Sequence, residues 1–430
     1  MRRPAIALIL LTVMAAIGLR APRAAAAETT PFAWVQLTPD GAEARAATTL
    51  SHCPFLTVDG RLTPMQTRAL ANPLYPLMLC QLKLPASAHR VSLGATLLPL
   101  PKGPPQRILV FGDTGCRIKE GLVQDCNNPR GWPFARIVRR ASAFHPDLVI
   151  HVGDYYYRES PCPAGEKACA GSPFGDNWAT WRAEFFNPAK PLLETAPWVF
   201  VRGNHESCSR GGRGWFRMLD AGPAPLACPA TSAPFKIDLG DFNLYVLDSA
   251  DQDDRDPSAA SIARFAAQLN ALAPDLAHGR GWIVTHRPIW GLTPVARLGP
   301  IGPIEVAINQ SEQKASAGRD LGGVQMVVSG HIHHFAAFDF GPARPAQLIA
   351  GTGGGIGEDA DIARIRDDQV DIDGLGAERM TFDRFGYFLL DRAGDDWAGT
   401  FRDIDDRVVA LCRLHDRRLH CTPAKGGAAP

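Results

Sequence analysis
Short apolar runs that each stop at a glycine-led or histidine-led polar motif constrain this chain most. Ile108 to Phe111 ends in Gly112-Asp113-Thr114-Gly115, and Leu148 to Val152 ends in Gly153-Asp154-Tyr155-Tyr156-Tyr157. Trp198 to Val201 leads to Gly203-Asn204-His205-Glu206. Trp282 to Val284 leads to Thr285-His286-Arg287-Pro288, and Met326 to Val328 leads to Gly330-His331-Ile332-His333-His334. Runs this short read as buried strands. Helical stretches lie between several of them. The clearest spans about Pro257 to Ala273, with Asp256 as the expected cap and Ile262, Phe265, Ala266, Leu269 and Leu272 as one apolar stripe. Strand and helix in alternation predict an α/β domain. In such sheets ligands collect at the carboxyl ends of strands, which is where all five motifs fall.

The residue types form a chemical set. Asp, Asn, Tyr and His offer oxygen and nitrogen to hard or borderline metal ions. A glycine before Asp113, Asp154, Asn204 and His331 is expected to let the backbone turn sharply there. A His-x-His pair on extended chain would send both rings to one face, within reach of two adjacent ions. A shared aspartate can hold two cations roughly 3.5–4 Å apart. Gly351 to Gly355 reads as a turn closing this site, since it neither follows the first strand nor opens a βαβ unit. His145 and His151 read as structural.

The flanks carry different signals. Arg2 and Arg3, an apolar stretch from Ile6 to Leu19, and Ala25-Ala26-Ala27 predict a signal peptide over 1–27, cleaved after Ala27. No second long apolar run follows, so no membrane span is expected in the mature form. Ten cysteines form five neighbour pairs: Cys53/Cys80, Cys116/Cys126, Cys162/Cys169, Cys208/Cys228 and Cys412/Cys421. Sequence does not prove connectivity, but short closed loops on an oxidising route are the simplest reading. Export to the periplasm or the exterior follows. Alternating runs before the Pro101-Lys102-Gly103-Pro104-Pro105 linker predict a small β-rich domain over 28–103. The catalytic domain is expected over 104–421, with a flexible tail over 422–430. With 45 basic and 44 acidic residues the net charge is +1, so nothing in it argues for nucleic acid as the partner.

The ordered set over about residues 106 to 360 resembles the calcineurin-like metallophosphoesterase superfamily, and within it the purple acid phosphatases. The wider superfamily has Asp-x-His at the first motif. Here Asp113-Thr114-Gly115 lacks that histidine, while Tyr157 stands three residues after Asp154, where purple acid phosphatases place a metal-binding tyrosine. The resemblance implies an α/β/β/α fold, a β-sandwich flanked by helices. It implies Asp113, Tyr157 and His333 on Fe(III), with Asn204, His286 and His331 on a divalent Zn, Fe or Mn. Asp154 would bridge the two. Hydroxide formed at the metals would attack phosphorus in line. His205 would assist the leaving group or stabilise charge, oriented by Glu206. The loop Arg287 to Ile304 lacks the further histidines of many relatives, which leaves Arg287 and His334 as candidate phosphate contacts. The expected substrate is a small phosphomonoester. A phosphodiesterase or phospholipid-headgroup hydrolase on the same site, and an exported binding protein without turnover, remain open at this point. The sequence does not fix the oligomeric state.

Overall fold
The computed structural model describes residues 32–119, 121–255, 257–295, 304–357 and 369–424. The expected signal peptide, the cap at Asp256 and residues 425–430 lie outside them. The fold is α/β, with two large mixed sheets packed face to face. The first has eleven strands and contains Arg107–Phe111, Leu148–His151 and Trp198–Phe200 side by side in parallel. The second has eight and contains Asn243–Val246, Gly281–Val284, Val324–Ser329 and Ala346–Ala350, also parallel to their neighbours.

Side-chain alternation explains the layering. Ile108, Val110, Leu148 and Ile150 face Trp282, Val284, Met326 and Val328 in a core between the sheets. Leu109, Phe111 and Val149 point the other way, onto the helix Phe134–Ser142 and its neighbours. Ile283, Val327 and Ile349 likewise back onto Phe265 and Leu269 of the helix Ala259–Ala271. Four layers result, in the order helix, sheet, sheet, helix. That last helix starts later than the sequence suggests: Ser258 caps it, accepting from the Ser261 amide at 3.1 Å.

The N-terminal residues are β-rich but share the main sheet. Phe32–Thr38 pairs in parallel with Trp198–Phe200 and antiparallel with Gly41–Thr48. Only Phe55–Val58, Arg61–Pro64, Val91–Leu93 and Thr96–Leu98 form a separate four-stranded sheet. The linker at residue 103 is therefore no break in the fold. At the other end, Arg418–Pro423 is a strand that runs into the expected tail. All five cysteine pairs are closed as disulfides. Disulfides persist in oxidising compartments. Among the described residues, no helix is long and apolar enough to cross a membrane.

Arg45 ties the N-terminal strands to the rest. It is fully buried, pairs with Glu43 at 2.7 Å and donates to the carbonyls of Met218 and Asp220, each at 2.7 Å. Arg45→Ala leaves Glu43 and two carbonyls without their donor. We expect a loss of about 3–5 kcal/mol in unfolding free energy, read from the denaturant midpoint. A loss below about 1 kcal/mol would mean that the two parts are not coupled through this residue.

Candidate metal centre
Strand register delivers the five motifs to one edge. His151 lies opposite both Phe111 and Phe200, and Val284 opposite Val328, so the loops that follow emerge together. Backbone bonds then lock them. Asp113 donates its amide to Gly153 O and Thr114 to Asp154 O, both at 2.9 Å. Gly330 donates to His286 O at 2.9 Å, and the His331 amide reaches Asp113 Oδ2 at 3.0 Å, joining the two sheets.

Three of the motif residues adopt left-handed backbone: Asp113 at φ 58°, Asp154 at 62° and His331 at 69°. Non-glycine residues held there cost about 1–3 kcal/mol each and cluster at functional sites. The expected role of the preceding glycines needs correction. Of the four, only Gly153 has positive φ, at 101°. Gly203 is needed for space instead, because a Cβ there would fall on Asp154 Oδ1 and its amide nitrogen. The His-x-His segment is not extended either. It bends, with the left-handed turn at His331, and its two rings reach different partners.

Those partners define two overlapping groups. Asp113, Asp154 and His333 form one, and Asp154, His286 and His331 the other, each with its ligand atoms within 4.8 Å of one another. Asp154 belongs to both. Tyr157 Oη sits at the first, donating to Asp154 Oδ2 at 2.7 Å and lying 3.2 Å from Asp113 Oδ1 and 2.9 Å from His333 Nε2. Asn204 Oδ1 sits at the second, 2.9 Å from His286 Nε2 and 3.0 Å from His331 Nδ1.

The donor set fits two cations. Each histidine has one ring nitrogen against a partner outside the group: His286 Nδ1 lies 2.7 Å from Val152 O, His333 Nδ1 2.7 Å from Gly355 O, and His331 Nε2 2.8 Å from Asp254 Oδ1 and 2.9 Å from Arg287 Nη1. The other nitrogen of each ring faces the group, where a neutral imidazole would offer its lone pair to a cation. The carboxylates call for positive charge as well. Burial, with Asp154 adding to it, pushes Asp113 up to about 7. Burial would lower His286, but the Asp154 carboxylate and then Asp113 raise it to about 9. Burial holds the Tyr157 phenol well above its ordinary value, with Asp154 and Asp113 adding to it. A highly charged cation is what would displace that proton.

A sequence scan with a calcineurin-like phosphoesterase family model matches residues 106–335, more than half of the chain and all five motifs. The chain belongs to the calcineurin-like phosphoesterase family. Membership makes it a phosphoric ester hydrolase with a dinuclear metal site. Among solved structures it is similar to the purple acid phosphatase PPD1 from yellow lupin (Lupinus luteus) seeds, at 15% identity and TM-score 0.53, covering 92% of this chain and 74% of that one. It is also similar to PhoD, at 12% identity and TM-score 0.55, covering 93% and 92%. At these identities the likeness concerns the fold. No curated protein sequence matches.

Several residues of this phosphoesterase site escape the motif reading. Glu206 does not orient His205. Its buried carboxylate accepts from the amides of Asp154, Tyr155, Tyr156 and Gly203 at 2.8–3.1 Å. His205 faces Glu159 instead, with Nδ1 2.6 Å from Oε1, and its ring lies 4.0 Å from the Tyr157 ring. Glu184 accepts from the amides of Cys116 and Tyr157 at 2.8 and 2.9 Å. Arg117 lies over the Tyr157 ring at 4.6 Å and, with Lys119, Arg210 and Arg255, lines a cavity of about 220 Å³ above the ligands. No spacing rule marks these four cations. Arg287 does not line that cavity. It is buried behind His331, ion-paired to Asp254 and donating from its amide to Ser249 Oγ at 2.9 Å. His334 is buried beside Arg379, away from the cavity, and burial followed by that cation depresses it to about 3.

Because Asp154 serves both groups, Asp154→Ala should empty the whole site. Elemental analysis should drop from two metal ions per chain to fewer than about 0.2, with far-ultraviolet circular dichroism retained. Retention of one full equivalent would mean that Asp154 serves a single ion.

Proposed function
We propose that this protein is an exported acid phosphatase that hydrolyses small phosphomonoesters at an Fe(III)–divalent pair, the second ion being Zn, Fe or Mn. Asp113, Tyr157 and His333 would hold the ferric ion, and Asn204, His286 and His331 the divalent one. Asp154 would bridge them. The observation that carries this reading is Tyr157 Oη, buried among Asp113, Asp154 and His333, where the first motif has no histidine. A phenolate suits a trivalent ion. When bound, the two cations lower the pKa of water and neutralise phosphoryl oxygens.

The chain's own residues do the rest. Water oxygen bonds to phosphorus, the bond to the leaving oxygen breaks, and that oxygen takes up a proton. His205 is the candidate donor, held at Nδ1 by Glu159 and with Nε2 4.0 Å from Asp154 Oδ2. Arg117 and Lys119 line the cavity over the ligands and supply positive charge where a phosphate dianion would sit. The five disulfides and the predicted signal segment support export.

Three experiments test this. Purified protein with both ions should show a visible charge-transfer band that Tyr157→Phe abolishes, while an unchanged band would remove Tyr157 from the ligand set. His205→Ala should lower kcat on p-nitrophenyl phosphate about 10²–10⁴-fold with metal content intact. Wild-type turnover of bis-nitrophenyl phosphate above that of the monoester would favour the diesterase reading. Metal-replete protein inactive on both would favour a binding protein.

A further inference from the structure
A second cavity, of about 460 Å³, adjoins the first and shares Asn204 and Arg210 with it. Its wall comes from the same loop that carries His205. Ser207 and Ser209 follow that histidine, Cys208 between them is tied to Cys228, and the Arg210 amide donates to Ser207 O at 2.9 Å. The opposite wall is the segment from Ala250 to Asp253 with Arg264. Ala250 is the single apolar residue among those that line it. A pocket built to hold an aryl ring or an acyl chain would be mostly apolar.

Gln252 supplies an independent signal. It is 6% exposed and lines this cavity, yet neither its amide oxygen nor its amide nitrogen has a hydrogen-bond partner in the protein. Buried polar groups are nearly always satisfied, so an amide with both atoms unmet calls for a partner from outside the chain. A hydroxyl group answers both needs, since it donates and accepts. The serine hydroxyls around it have the same dual capacity. Each of the three arginines that line it has a carboxylate partner: Arg210 lies 3.6 Å from Glu159, Arg264 lies 4.0 Å from Asp251, and Arg287 is ion-paired to Asp254. The cavity therefore offers hydrogen bonds more than net charge.

We propose that this cavity is the leaving-group subsite and that it takes a polyhydroxylated leaving group, a sugar or polyol, whose phosphate sits over the metal centre. The inference rests on the phosphatase reading given above. It explains why one loop holds a metal-side residue, the candidate proton donor and the subsite wall: Asn204, His205 and Ser207 to Arg210 meet the leaving oxygen in sequence. A serine-lined wall beside the donor keeps the departing alcohol hydrogen-bonded as it gains its proton.

The test compares glucose 6-phosphate with p-nitrophenyl phosphate in the metal-loaded protein. The readout is the ratio of their kcat/KM values, because a general loss of fold or metal moves both alike. Gln252→Leu should lower the ratio about tenfold, and Ser209→Ala, at an exposed position that does not threaten folding, should lower it severalfold, both through KM for the sugar phosphate. A ratio unmoved in both variants overturns the subsite. Wild-type protein that turns over neither substrate overturns the phosphatase reading itself, an outcome distinct from the first.

Discussion

The carboxylate of Asp154 is the point on which the rest of the structure depends. It is buried and lies 3.3 Å from His286 Nε2 while accepting from the Tyr157 phenol at 2.7 Å. It also accepts the His205 amide at 3.0 Å, so the third motif is fixed by the second. A buried carboxylate shared in this way is expensive unless positive charge answers it. The surrounding layers can be read as the means of holding that group in place.

The cost is spread over backbone as well as charge. Asp113, Asp154 and His331 take left-handed conformations, and Gly203 must lack a side chain for the third loop to approach the second. Glu206 and Glu184 then occupy the orphan amides of the loop that carries Tyr155, Tyr156 and Tyr157, which would otherwise be buried unpaired. Two disulfides, Cys116–Cys126 and Cys162–Cys169, pack together just outside these loops. The sandwich core is thus continuous with the strained edge that carries the chemistry.

Much of this was legible because strand ends and ligand types are local signals. Asp113, Asp154, Tyr157, Asn204, His286, His331 and His333 all sit in short motifs, and the structure brings them into one cluster. What was not legible depends on contacts between distant segments. Glu159 and Glu206 are both carboxylates close to His205 in sequence or motif, and only the path of the loops decides that Glu159 meets its ring. Asp254 supports His331 from 77 positions away, with no spacing to announce it. The pairing of Phe32–Thr38 with Trp198–Phe200 is invisible for the same reason: a linker rich in proline and glycine looks like a boundary whether or not the sheet continues across it. His334 followed two candidate ligands in sequence, but just before the next strand its side chain turns into the protein.

The account rests on two cations sharing Asp154, and the distance between them is its most direct measure. Anomalous diffraction from crystals of the metal-loaded protein should find two ions about 3.5–4 Å apart with Asp154 between them. A single ion, or two ions far apart with Asp154 bound to only one, would contradict it.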